Sequence, residues 1–331
     1  MKSNFLFPAI LFISLIIISC EKEKNGITDD GPGPATMPGE YYIASYEAAY
    51  ENVLRNIPVE YINKARNELH VAYEHTSHGT HVAFGLFGLP DYKEGDDTLF
   101  AITNNHPTPN MLDFRDNAMA SYGEAGVSAE DLSQNEIGFI QATRNYLDDP
   151  NHANINVVMW SWCNIYNHDV SGNYIPGMET LISEYGEGGS KIISGQRTTP
   201  VTFIFMTGHA NVNNNVGEGC PKNQADIIIN HCKQNNRYCL DYYGIDTHCM
   251  DGNYWEDAGD DGNSASYGGN FYHDFENTHA LGVSYYYNRN YPGGAVEWGN
   301  HNTQHITSNR KAYAMWYILA RIAGWNGVTT Q

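Results

Sequence analysis

Two short apolar runs constrain the fold of this chain more than any other feature of its sequence. Residues 155–160 and 201–206 are almost wholly apolar, and small or polar residues follow each run at once. Runs of this length are typical of buried strands, because helices are longer and repeat their apolar residues every three or four positions. Helical spacing of that kind appears around the runs, at residues 131–146, 177–190 and 223–235.

The same alternation extends along the rest of the chain. Strands are predicted at residues 69–73 and 238–242, and a closing amphipathic helix at 309–323 with Ser308 as its N-cap. Residues 41–68 also show helical spacing. Strands that alternate with helices predict an α/β fold, in which a doubly wound and mostly parallel sheet is flanked by helices.

Two stretches show little periodicity. Residues 90–122 are polar and irregular, and residues 244–304 are rich in Gly, Asn, Asp and Tyr. Loops this long within a compact domain are usually functional or disordered. We therefore expect long irregular insertions in a single α/β catalytic domain that spans residues 41–331.

The N-terminus has the pattern of an export signal. Lys2 is followed by an apolar run shorter than the roughly 20 residues that a membrane-spanning helix needs. The run fits the centre of a signal peptide over residues 1–19. Ser19 followed by Cys20 resembles the lipobox of bacterial lipoproteins, which predicts lipidation of Cys20. An ordinary secretory signal is the alternative.

Residues 20–40 separate this signal from the domain. They are charged and then rich in Gly and Pro, too polar to bury a core, and we expect a flexible tether. The charged residues 21–24 resemble the export tag of surface lipoproteins. We therefore expect an exported lipoprotein at the outer membrane or cell surface of a Gram-negative bacterium.

The charge balance limits the partners of the chain. It has 38 acidic residues against 18 Lys and Arg. Nucleic acids and anionic membranes bind clustered positive charge, so neither is expected as a partner. Membrane contact is expected through the lipid anchor only.

Five cysteines lie beyond the lipobox. In an oxidising compartment, cysteines close together in sequence suggest disulfides, and we expect at least one among the last four. Cys163 is the outlier in sequence. The spacings form no CxxC pair, so a structural zinc site is not expected. The five are Cys163, Cys220, Cys232, Cys239 and Cys249.

Small polar residues follow the predicted strands. In open parallel sheets, ligands bind outside the carboxyl ends of the strands, so these residues mark the expected site. Ser77 and His78 follow the first strand, Asn164 follows the 155–160 strand, and His209 and Asn211 follow the 201–206 strand.

Four residues have the chemistry that acyl transfer requires. Such a reaction needs a hydroxyl nucleophile, a base that takes its proton, and donors aimed at the developing oxyanion. Ser77 offers the hydroxyl, and His305, shortly before the last helix, offers the base. Asn164 and Gly126 are the candidate donors.

With these residues in this order, residues 69–325 resemble the SGNH (GDSL-like) hydrolase superfamily. The resemblance implies an SGNH-hydrolase-like fold and esterase or deacylase activity. It implies that Ser77 is the nucleophile and His305 the general base. It also implies that Gly126 and Asn164 join the Ser77 backbone N–H in the oxyanion hole.

Three positions differ from the family's pattern. Residues 75–79 read His-Thr-Ser-His-Gly rather than Gly-Asp-Ser, and no Gly precedes Asn164 by two positions. Asn302 stands three residues before His305 where the family has Asp, and an Asn stabilises an imidazolium less than a carboxylate does. The base then acts in a dyad, or the chemistry has changed, or a carboxylate comes from elsewhere. The candidates for that carboxylate are Asp246, Asp251 and Glu297.

The expected substrate is an acylated carbohydrate. The surface location, the aromatic-rich stretch and carbohydrate-active relatives of the family favour it, with 24 Tyr and 6 Trp in the chain. The alternatives are a polysaccharide lyase or other glycan-cleaving enzyme on the same rim, and a non-catalytic glycan-binding lipoprotein. We expect substrate contacts from His78, His209, Asn211, Asn302 and Trp162.

No metal or other cofactor is expected. His75, His78 and His81 are spaced by three residues, but they overlap a strand–helix turn, and HExxH is absent. The acidic residues 251–261 lack EF-hand spacing and favour a solvated loop.

Overall fold

The computed structural model describes residues 43–299 and 304–327. The predicted signal peptide, Cys20, the tether and Asn302 lie outside the described residues. Within them, none of the helices combines the length and apolar character that crossing a membrane requires.

A seven-stranded sheet forms the centre of the fold, and all its strands run parallel. Its spatial order is β1-β7-β6-β5-β2-β4-β3. The strands are β1 Ile43–Ala44, β2 His70–Glu74, β3 Ile102–Asn104, β4 Leu112–Asp116, β5 Val157–Trp160, β6 Thr202–Met206 and β7 Tyr238–Leu240. A small antiparallel pair, β8 Asn263–Ser264 and β9 Gly269–Asn270, lies apart from it.

Helices cover both faces of the sheet, so the predicted α/β fold with a mostly parallel, helix-flanked sheet is confirmed. Successive side chains of a strand point to opposite faces: Val71 and Tyr73 of β2 pack in one core, and Ala72 packs in the other. The helices are α1 Glu51–Arg55, α2 Val59–Glu68, α3 Thr80–Gly88, α4 Asp96–Leu99, α5 Gly138–Asp148, α6 Ile175–Tyr185, α7 Ser190–Ile193, α8 Pro221–Asn235, α9 Tyr242–Thr247, α10 Phe271–Thr278 and α11 His305–Ile322.

Two predictions about regular structure are wrong. Residues 41–68 are not one helix, because β1 pairs with β7 at their start and Pro58 separates α1 from α2. Residues 90–122 are not irregular throughout, since they contain β3 and β4. β4 reads Leu-Asp-Phe-Arg-Asp. It is largely buried, but its charged residues interrupt the apolar pattern by which a strand is predicted.

The closing helix begins earlier than predicted. Its first residue is His305, and Gln304 rather than Ser308 holds the N-cap position. Glu276 accepts a hydrogen bond from the Ile306 backbone N–H at 2.9 Å and so stabilises the first turn. Nearly all of α11 is buried, because α3, α2 and α1 pack around it.

All five described cysteines are free thiols, so the expected disulfide is not formed in this structure. Cys232 of α8 and Cys239 of β7 lie next to each other in the core. Cys220 and Cys249 contact other groups: the Cys220 thiol lies 3.9 Å from Asn214 Oδ1, and the Cys249 thiol lies 2.8 Å from Asp251 Oδ1.

Candidate functional site

The turn after β2 places Ser77 in a strained backbone conformation. Ser77 has a φ of 35°, which L residues rarely adopt. The turn is tight, since a Cβ on Gly79 would lie 2.5 Å from Ser161 Oγ. The Ser77 hydroxyl is withdrawn from solvent and makes no hydrogen bond within the described part of the chain. Strain and an unsatisfied hydroxyl at a strand end are features that proteins usually keep at functional sites.

His78 connects a thiol to a carboxylate. Its Nδ1 lies 3.8 Å from Cys163 Sγ, which follows β5. Its Nε2 lies 3.3 Å from Asp260 Oδ2, in the loop between α9 and β8. The two contacts use opposite nitrogens of one imidazole, so the ring bridges the two side chains. Cys163 and Asp260 are partly accessible, while His78 is buried.

The charged forms of His78, Asp260 and Cys163 stabilise one another. Burial lowers the pKa of His78, but hydrogen bonds and charge interactions with Asp260 and Cys163 raise it to about 9. Burial raises the pKa of Asp260, but His78 brings it down to about 2. The hydrogen bond with His78 lowers the pKa of the Cys163 thiol, against the opposing effect of burial. At neutral pH His78 is therefore an imidazolium between two acidic groups.

His209, which follows β6, stacks on His78. The ring centroids lie 3.6 Å apart and the planes differ by 9°. His209 Nδ1 donates to the Ala210 carbonyl at 2.8 Å. Burial and the charge of His78 lower the pKa of His209 to about 4, so this imidazole is neutral. We call Ser77, His78, Cys163, His209 and Asp260 the rim cluster.

The rim cluster contains the group most suited to a metal ion among the described residues. Ligand atoms of His78, His209 and Asp260 all lie within 4.8 Å of one another. An imidazole binds a metal in its own ring plane, however, and these two rings are stacked almost parallel at 3.6 Å. One ion cannot lie in both planes, so the arrangement does not fit a shared metal, and we assign none.

Amide groups border the cluster on its open side. Asn164 is exposed, and its Oδ1 accepts hydrogen bonds from the Tyr166 N–H at 3.0 Å and from Asn211 Nδ2 at 3.5 Å. The Asn164 N–H donates to Ser133 Oγ at 2.7 Å. These bonds fix the position of Asn164 and leave its side-chain NH₂ directed to solvent or to a ligand.

Buried carboxylates support the turn beneath the cluster. Thr76 donates to Asp131, whose other oxygen accepts from the Ser133 N–H at 2.7 Å. Glu74, at the end of β2, accepts from two backbone N–H groups after β4, and burial raises its pKa to about 7. These bonds connect the ends of β2 and β4 to the loop that carries Ser133.

Several predicted residues meet in this site. His78, His209, Asn164 and Asn211 all lie at the carboxyl edge of the sheet, as the strand ends predicted, and Ser77 lies beside them.

The predicted pairing of Ser77 with His305 is not formed. His305 Nδ1 accepts from the Asn288 backbone N–H at 3.2 Å, and its ring stacks on Trp298 at 3.8 Å. Neither His305 Nε2 nor the Ser77 hydroxyl has a hydrogen-bond partner among the described residues, so they do not bond each other. Burial lowers the pKa of His305 to about 4.

None of the three candidate carboxylates hydrogen-bonds the His305 ring in the described part of the chain. Asp246 pairs with Lys311, and Asp251 accepts from Cys249 and from Asn253. Glu297 contacts Asn288 through its backbone N–H.

Two other predicted site residues lie elsewhere. Gly126 is in an exposed turn with a φ of 81°, well beyond the end of β4, and nothing lies within 4 Å of the position of its missing Cβ. Trp162 is fully buried and packs against Tyr174 and His168, so it cannot contact a substrate. It is a core residue, because its side chain belongs to the apolar cluster on one face of the sheet.

The sequence matches no protein-family model, and no curated protein or solved structure matches the chain.

Two members of the rim cluster did not stand out in the sequence. Cys163 follows a buried strand, and that position was its only signal. Asp260 belongs to an acidic loop with no periodicity, far from His78 in sequence. Its place is fixed by its backbone N–H, which donates to the Ala210 carbonyl at 3.2 Å.

Proposed function

We propose that this chain is an acyl hydrolase that cleaves ester bonds at the rim cluster, with acylated carbohydrate as its substrate class. The observation that carries the proposal is the His78–Asp260 pair, whose imidazole also reaches a nucleophilic side chain. An imidazole held by a carboxylate and placed against a nucleophile is what acyl transfer requires.

Ser77 is the nucleophile that the resemblance to SGNH hydrolases implies, and two features support a role for it. It follows β2, an inner strand of the sheet, at the carboxyl edge, and its hydroxyl lies near enough to the Cys163 thiol to lower the pKa of that thiol.

We assign Asn164, which directly follows Cys163, as the donor for the oxyanion. Its side-chain NH₂ is open to a ligand, and its carbonyl oxygen is already used in the bonds from Tyr166 and Asn211. The orientation of the amide is therefore set before substrate binds. Preorganised donors of this kind stabilise the charge that develops on the carbonyl oxygen.

A sugar ring suits the surface beside this donor. Tyr166, two residues after Asn164, is an exposed aromatic side chain at the same rim. Aromatic faces pack on the apolar faces of sugar rings, and the neighbouring Asn side chains can bond hydroxyl groups. The predicted export of the protein is consistent with a glycan substrate.

A substrate screen tests the proposal. Wild-type protein is incubated with simple acetyl esters, acetylated glycans and acidic polysaccharides, and released acid and new unsaturated sugar ends are measured. We expect released acid from esters, and loss of this activity in His78→Asn.

His231→Asn is the matched control. His231 of α8 also pairs with a carboxylate, Glu179, at 2.8 Å, but outside the rim cluster. It should keep wild-type activity. Unsaturated ends without released acid would support a lyase instead, and glycan binding without any product would support a non-catalytic binding protein.

A further inference from the structure

One side chain of the rim cluster is both a strong nucleophile and in contact with the imidazole. Cys163 Sγ lies 3.8 Å from His78 Nδ1, and the opposite nitrogen of the ring lies 3.3 Å from Asp260 Oδ2. We propose that Cys163 is the attacking nucleophile of the hydrolase and Ser77 its neighbouring hydroxyl donor. This inference rests on the proposed function and assigns its nucleophile.

A serine nucleophile needs a neutral imidazole to take its proton. The two ring nitrogens of His78 face Cys163 and Asp260, and both of these groups raise its pKa, so the ring is not placed to serve Ser77 as a base. A thiolate needs no base at the moment of attack. An imidazolium beside it is the form that activates cysteine and later protonates the leaving group.

Other polar and charged groups near Cys163 and His78 also shift the pKa values in this cluster. The Ser77 hydroxyl lowers the pKa of Cys163, while Asp131 raises it through its charge. His209 and His81 face His78 and are neutral, since burial lowers the pKa of both. Lys311 is close enough to lower the pKa of His81 and His209 further.

The reaction balances without any co-reactant except water. The Cys163 thiolate attacks the ester carbonyl, an S–C bond forms, and Asn164 stabilises the oxyanion. The C–O bond to the alcohol breaks as His78 gives its proton to the leaving oxygen, which leaves a thioester on Cys163. Water then attacks the thioester, His78 takes a proton from it, and the C–S bond breaks to release the acid and restore the thiolate.

Alkylation with iodoacetamide tests the thiolate without any substrate. We expect Cys163 to be the fastest-labelled cysteine at pH 7, with mass spectrometry of the peptides as the readout. His78→Asn should slow that labelling about tenfold or more, because each unit of thiol pKa changes the thiolate fraction tenfold. Cys249, whose pKa burial raises, is the internal control and should label slowly in both proteins.

Ester hydrolysis by single variants then separates the two nucleophiles. Cys163→Ala should abolish turnover, and Ser77→Ala should retain part of it. Circular dichroism checks that both variants fold, and Cys163→Ser, which changes one atom, is the second variant should Cys163→Ala unfold.

Two results would overturn the inference. One is full turnover in Cys163→Ala with none in Ser77→Ala, which would leave the hydrolase proposal intact and make serine the nucleophile. The other is labelling of Cys163 that does not respond to His78→Asn. A wild-type protein that hydrolyses no ester but alkylates as expected would instead contradict the proposed function alone.

Discussion

Two of the largely buried ion pairs among the described residues differ in their neighbours. Lys311 Nζ lies 2.6 Å from Asp246 Oδ1, and neither side chain has any exposed surface. The His78 and Asp260 side chains keep 9% and 16% of their surface exposed, and His78 also contacts a thiol. The first pair is sealed within the fold, and the second opens to the rim.

The contacts of the sealed pair are structural. Asp246 also accepts from the Ala210 backbone N–H at 3.1 Å, and Lys311 lies over the Tyr242 ring at 4.2 Å. The pair thus connects α9, α11 and the loop after β6. Burial raises the pKa of Asp246 to about 6 and lowers that of Lys311, as expected for charges removed from water.

The comparison shows which features of a buried charge point to function. Burial and shifted pKa values are common to both pairs, so they do not distinguish a site from a structural support. Of the two pairs, only His78–Asp260 contacts a nucleophile and is accessible to solvent. Substitutions in the two pairs should therefore differ in their effects on activity and on stability.

The largest effect is expected for Asp260→Asn. Without the carboxylate, the His78 imidazolium is no longer stabilised, and its ring loses a fixed orientation. Ester turnover should fall about 10³–10⁴-fold, as for the loss of the carboxylate from other triads. The free energy of unfolding should fall less than it does for the fully buried Lys311–Asp246 pair, because the His78 and Asp260 side chains keep some exposed surface. Turnover within tenfold of wild type would remove Asp260 from the mechanism.

Lys311→Met should instead lower the free energy of unfolding and leave turnover almost unchanged. It leaves the Asp246 carboxylate buried without its cation, which costs about 3–5 kcal/mol of unfolding free energy. Turnover per folded molecule should stay within a few-fold of wild type. Chemical denaturation and active-site titration measure the two quantities.

Lys222→Met is the control for this change. Lys222 pairs with Asp226 on the exposed surface of α8 at 2.8 Å, and such pairs contribute about 0.5 kcal/mol or less. Equal destabilisation by the two substitutions would mean that burial of the Lys311–Asp246 pair is unimportant.

Asn164→Ala is expected to slow turnover about 10²–10³-fold, the loss typical of one oxyanion donor. The effect should appear in kcat more than in KM, because the oxyanion exists only in the transition state. A rise in KM with unchanged kcat would instead make Asn164 a substrate-binding residue.

The smallest effect concerns acid stability away from the rim. Burial lowers the pKa of His248 to about 4, whereas its ordinary value is 6.5. The unfolded chain therefore binds more protons between these values, and stability is lost as pH falls from 6.5 towards 4. His248→Gln should flatten that loss by up to about 1.4 kcal/mol per pH unit. Parallel stability curves for the two proteins would contradict this assignment.

The apolar runs predicted β5 and β6, because buried parallel strands need continuous apolar residues on both faces. β4 was missed because Asp113 and Asp116 interrupt its pattern. The Asp113 carboxylate pairs with His70 and the Asp116 carboxylate with His75, and both histidines lie far from them in sequence. Local periodicity cannot show such partners.

The candidate site was predicted in part for a related reason. Residues at strand ends, such as His78 and His209, were found because topology alone brings them together. Asp260 was missed because a long loop carries it to the rim. Trp162 was misassigned because the sequence does not show which way a residue after a strand points.

Trapping the acyl-enzyme would identify the nucleophile of the rim cluster. The protein is mixed with an activated acetyl ester, quenched in acid within the first turnover, and digested for peptide mass spectrometry. We expect one acetyl group per molecule, bound to Cys163 as a thioester that hydroxylamine removes, and a much lower yield in Asp260→Asn. An acetyl group on Ser77, or no acyl-enzyme while the ester is being hydrolysed, would contradict it.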